Sequence, residues 1–263
     1  MNLLSQKLII LIKKNIFTRY FYLKIKKFLI LILIAINTYY FRKRIKKYSL
    51  IKSKFNSVTI DTTNYLSRLC FIGGKFGTDK SILNHKTASQ HSYTGVYNIL
   101  FGSQKEKKLN IAEIGIFHNH SLEMFREYFK NSIIDGFEFD EKLIENAKKF
   151  NLPSVNYFKI DVTQPKEIIR AFKKSRKKYD IIIDDSTHEF DDQINIIYNT
   201  NSFLKKDGYL IIEDIPRRID ENIYYEKLKK IKSKFQDITF IECKHTYNFS
   251  ILSLNHKLLV LRK

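Results

Sequence analysis

No tryptophan occurs among the 263 residues, and there are only two cysteines, three prolines and eight glycines. Two cysteines, Cys70 and Cys243, cannot build a disulfide scaffold or a four-cysteine zinc site, so a reducing compartment fits. The scarcity of proline and glycine excludes collagen-like and linker-rich architectures. Also missing are a P-loop, a nucleophile elbow and a GxGxxG run. Acidic residues are absent until Asp61. What is present is globular in composition, 44% hydrophobic, 14% aromatic and 28% charged. The length suits one large α/β domain plus an extension, or two small domains.

The net charge of +20 lies mostly at the front. Residues 1–54 hold 14 Lys and Arg and no acidic residue, leaving 33 basic against 27 acidic residues in the remainder. That remainder is ordinary for a soluble enzyme. The front contains an apolar run, Phe28–Ile36, extended through Phe41 and flanked by Lys26, Lys27, Arg42, Lys43 and Arg44. A bilayer span needs roughly 20 predominantly apolar residues, so this run is short. No small-residue cleavage site follows it, which disfavours a secretory signal. The expectation is a basic, aromatic-rich helix on an anionic membrane face. The alternative is an extra helical layer packed on the folded domain. Nucleic acid is a weaker partner, since no recognition motif accompanies the charge. The chain thus divides into a basic extension, 1–55, and a domain, 56–263. A cytoplasmic protein, peripheral on the inner face of the cell membrane, is expected, and a homo-oligomer is compatible with it.

Beyond the extension, short β-rich runs alternate with helical stretches. Strands are expected at Leu109–Phe117, Ile133–Phe139, Val155–Ile160, Tyr179–Ile183, Tyr209–Ile212 and Ile238–Cys243. A closing hairpin is expected from Phe249–Leu254 and Leu258–Leu261 around Asn255-His256. The alternation predicts an α/β fold: a doubly wound, mostly parallel, seven-stranded Rossmann-like sheet ending in an antiparallel hairpin.

Ligands bind such sheets beyond the carboxyl ends of the strands. After the first of these runs, Gly115 permits a tight turn ahead of a helix with free amides. Glu138, after the second, stands where a carboxylate meets ribose hydroxyls. Asp161, after the third, could meet an adenine amine. The missing second glycine, at Phe117, disfavours a dinucleotide and favours a cofactor without a pyrophosphate. The fourth and fifth runs should be neighbours, about 4.8 Å apart. Asp184-Asp185 and Glu213-Asp214 then crowd one edge of the pocket, which requires a cation between them. A hard divalent ion with oxygen ligands, Mg²⁺ first, satisfies that arrangement.

The run Glu113-x-Gly115 with Ser121, the acids after successive strands and the terminal hairpin resemble class I S-adenosylmethionine-dependent methyltransferases. A finer resemblance, to the macrocin/mycinamicin-type sugar O-methyltransferases, rests on FGTDK (Phe76–Lys80) followed by Tyr93 and Tyr97, on IIDDSTH (Ile182–His188) and on IIED (Ile211–Asp214). The ending NHKLLVLRK (Asn255–Lys263) is also similar. The match covers about Phe76 to Lys263. Asn119 and His120 depart from it, standing where relatives often carry glycine. The resemblance implies S-adenosyl-L-methionine as cofactor, with Glu113, Gly115, Ser121, Glu138, Asp161 and Asp184 around it. It implies Asp185, Glu213 and Asp214 as Mg²⁺ ligands, and His188, with Asp185, as the catalytic residues, His188 being the base.

Methyl transfer to a sugar hydroxyl of a glycan or glycosylated metabolite is therefore expected. A phenol or catechol acceptor and an RNA-binding methyltransferase are the alternatives. Arg217 and Arg218, with Tyr224-Tyr225, fall in the expected substrate loop; the arginines hint at an anionic acceptor, and an exposed basic loop is the equal alternative. His118 and His120 could line the pocket, but a solvated loop position is the favoured reading, and His85, His91, His245 and His256 read as structural or exposed.

Overall fold

The computed structural model describes residues 53–87, 89–216, 219–250 and 256–263. They belong to the second of two units, which part between Lys52 and Ser53. The expected membrane-surface helix, the arginine pair of the substrate loop and most of Phe249–Leu254 lie outside the described residues. Among the described residues no helix is long and apolar enough to cross a membrane.

Eight strands form one sheet: β1 (Asn56–Asp61), β2 (Asn110–Ile114), β3 (Ile133–Glu138), β4 (Val155–Lys159), β5 (Tyr179–Asp184), β6 (Leu204–Ile212), β7 (Asp237–Lys244) and β8 (Lys257–Arg262). Their spatial order is β1-β7-β8-β6-β5-β2-β3-β4. All pairings are parallel except those of β8 with β6 and β7. Apolar runs are continuous because the central strands are buried on both faces. In β2, Ala112 and Ile114 enter one core with Phe137 and Phe172, while Ile111 enters the other with Tyr97 and Phe125.

Two expectations are corrected. The sheet has eight strands rather than seven, because NSVTID adds an edge strand, β1, beside β7. Its residues are mostly exposed, so no apolar run marks it. The antiparallel partner of the last strand on that side is β7, not Phe249–Leu254. Phe249 instead bridges Gln90, with reciprocal backbone bonds of 2.7 and 2.8 Å.

Among the described residues the α-helices are α1 (Arg68–Phe76), α2 (Tyr93–Phe101), α3 (His120–Tyr128), α4 (Glu141–Lys148), α5 (Pro165–Ser175), α6 (Phe190–Thr200) and α7 (Glu221–Leu228). Local signals set several ends. Ser67 accepts from the Cys70 amide at the start of α1, and Gly77 closes it at φ +83°. Proline opens α5. Strand order reverses between β2 and β5, so the crevice for a ligand lies beyond their carboxyl ends.

Candidate active site

A cavity of about 710 Å³ opens at that crevice, walled by Gly115, Ser121, Glu138, Asp161, Asp185, His188 and Asp214 among others. Gly115, at φ +84°, is required there: a Cβ would lie 2.2 Å from the Asp185 carbonyl oxygen. The close approach of the β2 turn to the end of β5 therefore depends on the missing side chain.

Glu138 ends β3 and ties two turns together. One carboxylate oxygen accepts the Ile116 and Phe117 amides, each at 3.1 Å, and the other accepts Phe139 at 2.7 Å and Asp140 at 3.1 Å. A carboxylate has about four acceptor sites, so these are filled. Receiving ribose hydroxyls requires exchange of one of the longer bonds. Asp161 accepts from the Thr163 amide at 3.0 Å and its hydroxyl at 2.6 Å, on the cavity wall.

Behind this wall stands a cation that sequence reasoning quoted within a motif but gave no role. Lys80, 1% exposed, donates to Asp185 and, at 2.7 Å, to Glu213, and lies 3.4 Å from Glu113. Burial opposes its charge, but Asp185, Glu213 and Glu113 together hold its pKa well above the ordinary lysine value. Burial pushes the Glu113 carboxyl up to about 7, against the pull of Lys80. Ser121 donates to Glu113 at 2.8 Å. Burial likewise raises Glu213, whose other oxygen accepts from the Tyr97 hydroxyl. The carboxylate crowding foreseen between β5 and β6 is thus relieved in part by the chain's own lysine.

Asp214 faces the cavity and accepts from the Tyr93 hydroxyl at 2.5 Å. His91 stacks on Tyr93, with ring centroids 4.9 Å apart, and places Nδ1 3.9 Å from Asp214. Its Nδ1 also meets that of His256 at 3.0 Å. Both rings are buried beside the site, and no local pattern separates them from ordinary core histidines.

His188 has Nε2 3.9 Å from Asp185 and 3.8 Å from Asp214. Its Nδ1 is buried without a hydrogen-bond partner. His188 and Asp214 both adopt left-handed backbone, φ 57° and 51°, a conformation that non-glycine residues occupy at some cost and that recurs at functional sites. Asp184, expected beside the cofactor, is buried away from the cavity lining and accepts from the Ser186 hydroxyl at 2.6 Å. Burial raises its pKa to about 6.

The residues offering atoms to a metal differ from the expected set. Ligand atoms of Asp185, His188 and Asp214 lie within 4.8 Å of one another. Glu213 is instead engaged by Lys80 and Tyr97. Three carboxylates meet Lys80, and Asp214 stands outside that group, bonded to Tyr93. The cavity-facing oxygens of Asp185 and Asp214 fit a divalent cation.

No protein-family profile matches the sequence, and no curated protein matches it. Solved structures do. MycE methyltransferase from the mycinamycin biosynthetic pathway, in complex with Mg and SAH, aligns with TM-score 0.54 at 16% identity, covering 75% of this chain and 54% of that one. The MycE complex that also holds mycinamycin VI aligns with TM-score 0.54 at 15% identity and the same coverage. This chain spans about half the length of MycE. What this chain shares with these neighbours is the fold, and it is that of the class I S-adenosylmethionine-dependent methyltransferases.

Proposed function

We propose that the protein transfers a methyl group from S-adenosyl-L-methionine to a sugar hydroxyl of a glycan or glycosylated small molecule, assisted by a divalent cation. The observation that carries this reading is a single cavity joining two chemistries. Glu138 and Asp161 line it from the β3–β4 side of β2, and Asp185, His188 and Asp214 from the β5–β6 side. The presence of Mg, SAH and a mycinamycin in the MycE complex adds support.

The cofactor would supply an electrophilic methyl, and a cation held by Asp185 and Asp214 would lower the pKa of the acceptor hydroxyl. The chain's own groups do the rest. Gly115 lets the turn after β2 close on the end of β5, shaping the floor of the cofactor end. Glu138 holds the amides of both flanking turns in place. His188 would accept the hydroxyl proton at Nε2 while the carbon–oxygen bond forms and the methyl–sulfur bond breaks, with S-adenosylhomocysteine as the leaving group. Asp185 and Asp214 then stabilise the imidazolium across less than 4 Å. Lys80 and Tyr97 hold Asp185 and Glu213 rigidly behind the reacting atoms, so alignment is established before substrate arrives.

Incubating the protein with S-adenosylmethionine and Mg²⁺ against glycan, catechol and RNA acceptors should give methylated glycan. Methylation of catechol or RNA alone would defeat the assignment. His188→Ala should lower turnover by roughly 10²–10⁴-fold, the usual loss with a general base. Calorimetry should show S-adenosylhomocysteine binding unchanged in that variant.

A further inference from the structure

The sheet has a second pole, where its parallel strands begin. The segments lying there are 105–108, 129–132, 148–154, 173–180, 205–207, 229–237 and 262–263. They hold 19 Lys and Arg against four acidic residues, whereas the rest of 55–263 holds 14 against 23. The modest net charge of the domain therefore conceals a strong polarity. We propose that this pole is a docking face for an anionic lipid surface, holding the cavity at the opposite end away from the membrane.

Hydrogen bonds stitch these segments into one face. Asn131 donates to the Glu106 carbonyl at 2.8 Å, and Asn110 to that of Lys178 at 2.9 Å. Lys263 exchanges backbone bonds of 2.7 and 3.0 Å with Asp207 and Gly208. Gln236 reaches Asp207 and the Lys263 carbonyl at 3.1 and 3.0 Å. Crowding is visible at Lys263, whose pKa is pulled down by burial and then by repulsion from Lys178 and Lys234.

Helix dipoles explain part of the pattern. Lys148, Lys173 and Lys174 sit in last turns, where a cation stabilises the helix. Four other basic residues are paired, Lys177 with Asp135, Lys205 with Asp180, Lys229 with Glu226 and Arg262 with Asp207. Lys107, Lys108, Lys178, Lys206 and Lys234 are exposed and lie outside the α-helices, so dipole compensation does not account for them.

Two observations favour lipid over nucleic acid. The chain enters the domain at this pole, since Ser53 stands just ahead of Asn56, the first residue of β1, which runs parallel to β7. The sequence joined there, 1–52, carries the apolar run at 28–36 within its basic stretch, a pairing that suits lipid. Phe150, 47% exposed, adds an aromatic group to the face. The proposal does not depend on the methyl-transfer reading.

The test uses the full chain and vesicles of equal parts phosphatidylglycerol and phosphatidylcholine. Each lysine near such a surface contributes about fivefold in affinity, so the triple variant Lys178→Gln, Lys206→Gln, Lys234→Gln should bind about 100-fold more weakly at low salt. The opposite-pole triple Lys142→Gln, Lys166→Gln, Lys244→Gln should bind nearly as the parent does. Because Cys70 and Cys243 are buried, an environment-sensitive probe can be placed on Lys206→Cys or Lys166→Cys. The first should shift on vesicle binding and the second should not. No binding to these vesicles, equal losses in the two triples, or a shift only at position 166 would overturn the proposal. So would a first triple that loses affinity for an RNA hairpin while keeping its affinity for vesicles.

Discussion

Where the parallel strands end, Glu113, Asp185 and Glu213 are packed around one buried lysine, with Asp214 beside them. Where those strands begin, 19 basic residues stand at helix ends, strand ends and connecting turns, with only four acidic ones among them. Both ends concentrate charge of one sign, but with opposite physics. The carboxylates are removed from water, so each depends on a named partner and a fixed distance. The lysines remain hydrated and largely interchangeable, so their effect is collective and screened by salt. A single substitution should therefore matter greatly at one end and little at the other.

The largest effect is expected at Lys80. Lys80→Met leaves three carboxylates without their shared cation, and breaking a buried pair in this way costs about 3–5 kcal/mol. Urea unfolding of the metal-free protein measures it. A loss below about 1 kcal/mol would mean that water reaches these groups and the contrast between the ends is overstated.

Next comes a pH dependence. Burial lifts Glu113 from its ordinary 4.5 to about 7, so between those values the folded state binds more protons than the unfolded one. Its contribution is fully present below pH 4.5 and is lost as pH rises through about 7, by up to roughly 3 kcal/mol. Glu113→Gln should flatten that part of the stability profile while leaving the fold intact by circular dichroism.

Glu138→Ala comes third. It removes four hydrogen bonds to backbone amides of the turns after β2 and β3. Affinity for S-adenosylhomocysteine should fall by about 1.5–3 kcal/mol, the range for a charged acceptor. NAD binding to the parent protein would contradict the cofactor assignment altogether. The smallest effect is expected at the basic pole. Lys206→Gln alone should change unfolding free energy by less than about 0.5 kcal/mol.

The acids that end strands were legible because each follows its own apolar run, and chain direction alone puts them at one pole. Gly115 was legible for the same reason. The family resemblance implies Asp184 beside the cofactor; neighbouring residues along a strand point to opposite faces, and it is Asp185 that lines the cavity. β1 escaped notice because an exposed edge strand buries too little to leave a pattern. His91 and His256 were set aside as structural or exposed, and nothing local marked them as neighbours of Asp214.

The sequence by itself determined the alternation of strand and helix, the carboxylates at strand ends and the turn at Gly115. These depend on local periodicity and on residues a few positions apart. Only the tertiary structure decided which charges meet. Lys80 reaches Asp185 and Glu213 across 105 and 133 positions, and His91 reaches His256 across 165. Such meetings follow from strand order and from the path of the loop at 77–92, which side-chain periodicity does not encode. The polarity of the domain has the same origin. Its lysines are scattered along the chain, and only the shared direction of the strands gathers them at one end.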